Sequence, residues 1–115
     1  MPYTATVGLA LTSVANSRLK GYIGDLSKPG GIKLKQLFKT ADIHKTKQSN
    51  NLYYWNCIEW SADSENRISI ETFLQAIPAS SYHLCFVGDD PNDNKDEGLF
   101  NDPWNMLLLR EVVID

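Results

Sequence analysis

Apolar and polar residues alternate along the start of the chain. The apolar positions, separated by small or polar ones, are Tyr3, Ala5, Val7, Leu9 and Leu11. Because successive side chains of a strand point to opposite faces, this period of two predicts a strand with one buried face.

Two later stretches have the spacing of amphipathic helices. Apolar residues recur there at i, i+3, i+4 and i+7, which places them on one side of a helix. These positions are Leu34, Leu37, Phe38 and Ala41 in the first stretch and Ile70, Phe73, Leu74 and Ile77 in the second. The first helix is expected after a turn at 28–31 (KPGG), and the second between a Ser69 cap and Pro78.

Aromatic and apolar runs predict two further strands. Residues 52–60 (LYYWNCIEW) are rich in aromatic side chains with alternating faces, and residues 82–87 (YHLCFV) are apolar on both faces, which suits a central strand. Residues 45–51 are expected to form a polar loop and residues 61–66 a turn. A short returning strand is then expected to begin at Arg67-Ile68.

Two segments fit both a helix and a strand. Residues 18–27 have a helical apolar stripe, but Gly21 and Gly24 would together destabilise a helix by about 2 kcal/mol. We therefore expect a strand there, in a hairpin with the first strand. Residues 104–114 follow a favourable helix start, yet they end in β-branched residues, and we again expect a strand.

Together these elements predict a single compact domain over residues 1–115. Its expected class is α+β, with a mostly antiparallel β-sheet and two short helices packed on one face. The hydrophobic content of 43% and charged content of 22% are those of a globular protein. No stretch approaches the roughly 18 apolar residues of a membrane helix. The apolar start also lacks the basic region of a signal peptide, so a cytoplasmic protein is expected.

Charge is divided unevenly along the chain, whose formal net charge is −3. Residues 1–48 hold eight basic residues against two acids, a balance of +6. Residues 49–115 hold three basic residues against twelve acids, a balance of −9. Either these charges pair across the fold, or the protein has two faces of opposite sign.

The acids are densest in GDDPNDNKDEGLFNDPW, residues 88–104. Alternate positions carry oxygen ligands as in an EF-hand calcium loop, namely Asp90, Asn92, Asn94 and Asp96. Lys95, however, stands where that loop needs glycine, and Asn101 stands where it needs a bidentate glutamate. A calcium site is therefore not expected.

The same stretch also fits a contact surface for another protein. Acids would steer a basic partner, while large apolar side chains that look exposed would anchor it. The residues predicted to bind the partner are Asp89, Asp90, Asp93, Asp96, Glu97, Phe100, Asp102 and Trp104. The alternative is a solvated connection between elements, although a loop of this length is more often functional than a short one.

Two short triplets suggest a nuclease. Gly8-Leu9-Ala10 and Tyr22-Ile23-Gly24 are separated by eleven residues, which resembles the paired-strand motif of GIY-YIG endonucleases. The resemblance covers about seventeen residues and implies two adjacent strands. Ala10 stands in place of the motif's tyrosine, and the following helix offers lysines but no arginine. The resemblance therefore implies an inactive, decayed nuclease, because phosphodiester hydrolysis needs a positioned cation for the developing charge.

Two further stretches have a possible chemistry. The lysines of residues 32–47 could contact nucleic-acid phosphates, and Tyr53, Tyr54 and Trp55 could stack on bases. His83 and Cys85 share one face of their strand, as two ligands of one metal ion would, with Cys57 as a further thiol. Because a third or fourth ligand is not evident, these residues are interpreted as core packing, and no metal site or cofactor is expected.

No nucleophile motif or phosphate loop is present in the sequence, so no enzymatic activity is expected. The sequence instead favours a small binding protein that inhibits a basic partner protein stoichiometrically, of the toxin-immunity or anti-defence type. The alternative is a nucleic-acid-binding domain or decayed GIY-YIG-like nuclease that uses residues 33–47. The sequence does not determine the partner's identity or the oligomeric state.

Overall fold

The computed structural model describes residues 3–26, 28–90, 92–104, 106–108 and 112–113. The described strands are β1 (Thr4–Leu11), β2 (Ile43–Lys47), β3 (Asn50–Glu59), β4 (Tyr82–Gly88), β5 (Asn94–Glu97), β6 (Leu107–Leu108) and β7 (Val112–Val113). The described helices are α1 (Ser13–Asp25), α2 (Lys28–Lys39) and α3 (Glu65–Gln75), with a short 3-10 turn at Ala79–Ser81.

A five-stranded antiparallel sheet in the order β2-β3-β1-β4-β5 forms the centre of the fold. The predicted α+β class and antiparallel sheet are confirmed, with three described helices where two were expected. β1 lies in the middle, so Val7, Leu9 and Leu11 are fully buried against the helices, as their alternation predicts. All three helices contribute side chains to this one apolar core.

The strand expected over 18–27 is wrong, because this segment belongs to α1. Thr12 caps the helix, and its hydroxyl accepts a hydrogen bond from the amide of Ala15 at 3.2 Å. Gly21 and Gly24 are exposed and face open space, so they weaken the helix without disturbing its packing. Burial of the apolar stripe that includes Leu19 outweighs their cost of about 2 kcal/mol.

The turn expected at 28–31 is instead the first turn of α2, where a proline such as Pro29 is tolerated. Gly31 has a packing role at this point. A Cβ atom on it would lie only 2.8 Å from the carbonyl oxygen of Ile23, so the glycine lets α1 and α2 approach closely. The predicted helical face is confirmed, since Leu34 is fully buried.

Two other local predictions are corrected. The expected loop at 45–51 contains β2 and a tight hairpin to β3, in which Gln48 and Ser49 have positive φ angles of 53° and 68°. Such a pair suits a two-residue turn between twisted strands. Arg67 and Ile68 do not begin a strand but lie in α3, which starts at Glu65, four residues before the expected Ser69 cap. The strands predicted at 52–60 and 82–87 are confirmed as β3 and β4.

The second face of the sheet is covered by the chain that follows β5. Trp104 and Met106 are buried there against Ala10, Leu52 and Cys85. The single strand expected over 104–114 is replaced, within the described residues, by two two-residue strands, β6 and β7, which pair antiparallel with each other. The remainder of that segment is outside the described residues or in irregular structure.

The two cysteines are free, and β1 separates the strands that carry them. Cys85 is buried as expected, whereas Cys57 is exposed and lies within the irregular pairing of β3 with β1, between Trp55 and Ile58. Among the described residues, no helix is long and apolar enough to cross a membrane.

Candidate functional site

The predicted contact residues are distributed over three structural settings. Asp89 and Asp90 lie in the turn after β4, and Asp96 and Glu97 lie on β5; all four are exposed. Leu99, just after β5, is 78% exposed. These five residues lie between positions 89 and 99, in the turn before β5, on β5 and just after it, and we call them the acidic edge.

Two of the predicted contact residues lie in the interior instead. Trp104 was expected to be exposed but is only 6% exposed, and Asp102 is 5% exposed. Asp102 Oδ1 accepts hydrogen bonds from the amides of Trp104 and Met106, at 3.0 and 3.2 Å. Phe100 is half-buried against the same apolar cluster. These side chains hold the segment against the sheet. Burial of the aromatic rings is favourable, and the buried Asp102 carboxylate is stabilised by its two amide donors.

Asp93 belongs to a first charged group, the Arg67 cluster, formed by Tyr3, Arg67, Glu71, Asp93 and Lys95. The Arg67 side chain is 11% exposed and lies 4.8 Å over the Phe86 ring. Its guanidinium donates to the carbonyl of Trp60 at 2.7 Å and to Glu71 at 3.0 Å, and it lies 3.3 Å from Asp93. The Tyr3 hydroxyl donates to Asp93 at 2.6 Å.

The Arg67 cluster is close to electrical balance. Lys95 lies 3.4 Å from Glu71, so two cations face two carboxylates. Burial acts to raise the pKa of Asp93, but the hydrogen bonds from Tyr3 and Arg67 and the positive charge of Arg67 outweigh it and hold the pKa below its usual value. This arrangement fixes the turn after β4 to the start of α3, and we interpret it as structural.

The second charged group, the His83 cluster, lies under the segment that follows β5. It consists of His83, Cys85, Asp96 and Asp102. His83 Nδ1 is 2.6 Å from Asp102 Oδ2, and Nε2 is 2.6 Å from Asp96 Oδ1. Cys85 Sγ is 3.4 Å from His83 Nε2. One imidazole is thus bonded at both nitrogens to carboxylates and touches a buried thiol.

Two carboxylates surround one imidazole in the His83 cluster. The cluster therefore carries a net negative charge when the imidazole is neutral. Burial acts to lower the pKa of His83, but its hydrogen bonds to Asp102 and Asp96 and their charges outweigh it and raise the pKa. Burial, together with the negative charge of Asp96, raises the pKa of Cys85 to about 12. A buried, protonated thiol is not a nucleophile, so the arrangement does not support cysteine catalysis.

A groove of about 540 Å³ opens on the opposite side of the molecule, between α1, α2 and the β2–β3 hairpin. Its walls are mostly apolar, and His44 stacks on Tyr53 with ring centroids 4.4 Å apart. Lys20, Lys35 and Lys39 lie at its rim. Of the lysines in the predicted basic stretch, Lys35 and Lys39 therefore line a concave surface.

The charges of the two halves remain largely separate. Among the ion pairs between described residues, Lys33 to Glu65, at 2.9 Å, is the one that joins the basic half to the acidic half. Both side chains of that pair are exposed. The structure therefore favours two faces of opposite sign over pairing across the fold.

The paired-strand motif suggested by the two triplets is absent. Gly8-Leu9-Ala10 lies in β1, which pairs with β3 and β4, whereas Tyr22-Ile23-Gly24 lies in α1. The likeness to GIY-YIG endonucleases is thus confined to the letters of the two triplets. Comparisons with protein-family models, with curated proteins and with solved structures found no match to this chain.

The sequence pointed to part of the His83 cluster and missed the rest. The i, i+2 spacing of His83 and Cys85 was a correct signal that the two share a face. Asp96 and Asp102 were assigned to a solvent-exposed contact loop, because nothing in the sequence indicates that β5 pairs with β4. The buried Arg67 was also missed, since a lone arginine beside a polar turn gives no signal of burial.

Proposed function

We propose that this chain is a non-enzymatic binding protein that associates with a basic partner protein through the acidic edge. The observation that carries the proposal is the position of β5. It is one of the two edge strands of the five-stranded sheet that the described residues form, and its exposed side chains include two acids. An outer strand offers main-chain groups for pairing, while the acids select against acidic partners.

The acidic edge has the two properties that a specific interface needs. Four carboxylates raise the rate of encounter with a positively charged surface and orient it. Leu99 supplies apolar area that the chain leaves uncovered, with 78% of it exposed. An extended basic segment could therefore add to the sheet beside β5, with its alkyl or apolar side chains against Leu99.

Stoichiometric inhibition is the specific activity that this surface suits. A protein that neutralises a toxin or blocks a nucleic-acid-processing enzyme must cover a basic site, and it needs a rigid acidic scaffold without cofactor chemistry. The acidic edge lies on a strand and its preceding turn, and the Arg67 cluster fixes that turn. A rigid edge reduces the entropy that is lost on binding.

A pull-down from a bacterial lysate tests the proposal. The variant changes Asp89 and Asp90 to Asn and Glu97 to Gln, which removes the charge but keeps hydrogen-bonding groups; Asp96 is retained because it also belongs to the His83 cluster. The matched control changes three exposed lysines to Gln on the other side of the molecule, namely Lys20, Lys35 and Lys39. We expect the wild type and the control to capture one basic protein in a stoichiometric amount. The acidic-edge variant should not capture it. A partner retained by that variant would refute the proposal.

The groove supports a second candidate, nucleic-acid binding by the basic side. Lysines at its rim could neutralise phosphates, and its apolar wall could receive a base from a single strand. This candidate predicts that a fluorescently labelled single-stranded oligonucleotide binds the wild type in a salt-dependent manner. The lysine control variant should not bind it. The acidic-edge variant should bind the oligonucleotide as well as the wild type or better.

A further inference from the structure

Three different donor atoms of the His83 cluster converge on one point. His83 Nε2, Cys85 Sγ and a carboxylate oxygen of Asp96 all lie within 4.8 Å of one another. Their convergence follows from the sheet, because Cys85 and Asp96 are opposite each other in the β4–β5 register and His83 precedes Cys85 by two residues on the same face.

We propose that His83, Cys85 and Asp96 form a three-ligand site for a divalent transition-metal ion of the zinc type. Imidazole nitrogen, thiolate sulfur and carboxylate oxygen are the donors that zinc takes, whereas calcium and magnesium take oxygen donors. The structure supplies, in Asp96, the third ligand that the sequence did not reveal.

The distances require only a small rearrangement. Bond lengths of about 2.0–2.3 Å and tetrahedral angles place the nitrogen and sulfur about 3.6 Å apart and the nitrogen and oxygen about 3.3 Å apart. Cys85 Sγ is already 3.4 Å from His83 Nε2. Asp96 Oδ1, now 2.6 Å from that nitrogen, must withdraw by about 0.7 Å. The Asp96 side chain is 49% exposed and so has space to move.

Asp102 holds His83 in the orientation that the metal needs. Its Oδ2 lies 2.6 Å from Nδ1, so an imidazole that gives Nε2 to the metal can keep its proton on Nδ1 and donate it to Asp102. Two main-chain amides in turn fix the buried Asp102 carboxylate. A carboxylate behind a ligating histidine is the usual support of a zinc-bound imidazole.

Charge and access both favour a dication at this point. Metal binding would release the proton of Cys85, and the resulting thiolate and the carboxylate of Asp96 would together carry two negative charges, which a divalent ion neutralises. Cys85 is fully buried below the site, while Asp96 lies at the surface. The fourth position therefore faces solvent, where water or a donor from another molecule can complete the coordination.

Metal titration of the purified chain tests this proposal. The background is Cys57→Ser, because the exposed Cys57 thiol could bind ions by itself. After treatment with a chelator and its removal, ZnCl₂ is titrated by calorimetry and CoCl₂ by absorption. We expect one ion per chain and a thiolate-to-cobalt charge-transfer band. Cys85→Ser should abolish the band, and Asp102→Asn should weaken zinc binding about 10- to 100-fold.

Two further variants make the outcome decisive. Asp96→Asn changes an exposed carboxylate and should fold normally, yet it should weaken zinc binding by at least as much as Asp102→Asn. Asp93→Asn removes an acid of the Arg67 cluster and should leave binding unchanged. The proposal is overturned if the background binds less than one ion per chain, or if Asp96→Asn binds zinc as tightly as the background. The readout is metal alone, so failure here leaves partner binding by the acidic edge untouched.

Discussion

The Arg67 cluster and the His83 cluster together contain three of the six acids of residues 88–104, and they surround these acids with different groups. Asp93 enters the Arg67 cluster, where a guanidinium, an ammonium group and a phenol surround it. Asp96 and Asp102 enter the His83 cluster, where one imidazole is bonded to both and a thiol lies 3.4 Å from that imidazole. One cluster has matched cations for its acids; the other has a negative excess whenever its imidazole is neutral.

This difference separates a structural network from a candidate binding site. Buried charges persist where opposite charges and hydrogen bonds compensate their desolvation, as around Arg67. In the His83 cluster, compensation depends on protonation of His83 or on a cation from solvent. The Arg67 cluster should therefore govern stability, and the His83 cluster should govern ligand binding.

The largest expected effect is that of Arg67→Met. The substitution keeps much of the side chain's apolar contact with Trp60 and Phe86. It removes the ion pair of the guanidinium with Asp93 and its hydrogen bond to the carbonyl of Trp60. We expect the free energy of unfolding in urea to fall by about 3 kcal/mol, near the lower limit for breaking a buried ion pair, because Asp93 is partly exposed. A folded Arg67→Met chain should still bind one zinc ion. A loss below about 1 kcal/mol would contradict a structural role for this cluster.

A smaller loss, of about 1–2 kcal/mol, is expected for His83→Gln with a chelator present, because hydrogen bonds to charged groups are broken. The folded-state pKa of His83 is raised above its ordinary value of 6.5. Its contribution to stability is thus fully present below pH 6.5 and is lost as the pH rises through the folded-state pKa. Urea unfolding of both proteins from pH 5.5 to 9 should show their difference shrinking at high pH. A difference that grew with pH would contradict this account.

The sequence predicted the helix-covered side of the sheet better than the other side. There, periodicity places Leu9, Leu34 and Phe73 correctly, since burial of a continuous apolar face dominates the free energy. The prediction of a strand at 18–27 is wrong because its two exposed glycines cost less than burial of the helical apolar stripe gains. Propensity differences of about 1 kcal/mol per glycine are small beside the burial of several large side chains.

The candidate site was predictable only in part, for a different reason. The spacing of His83 and Cys85 is a local signal, but Asp96 reaches them through the register of β4 with β5. Register depends on a turn in which the amide of Asn92 donates to the Asp90 carboxylate and the amide of Gly88 donates to the carbonyl of Asp93. Polar turns of similar composition occur in many loops, so no feature of the sequence indicates a strand inside this acidic stretch.

A third prediction concerns acid stability and Asp93. Its folded-state pKa is held below the ordinary value of 3.8, so its contribution is present at neutral pH and is lost as the pH falls through the folded-state pKa. Asp93→Asn should cost roughly 1 kcal/mol at pH 7, since the carboxyl is partly exposed. The difference between wild type and variant should disappear in strong acid. Circular dichroism in urea at pH 7, 4 and 2 measures it, and a constant difference would show that the charge of Asp93 is not involved.

The smallest effect is expected for Lys33→Gln. Lys33 and Glu65 form an ion pair of 2.9 Å, similar in length to the pair between Arg67 and Glu71, but both of its side chains are mostly exposed. Water and salt screen such a pair, and ordering two long side chains offsets the remaining attraction. We therefore expect no measurable change in the urea midpoint at 0.15 M salt. A loss as large as that of Arg67→Met would mean that the basic and acidic halves stabilise each other across the fold. The separation into two oppositely charged faces, on which binding by the acidic edge depends, would then be wrong.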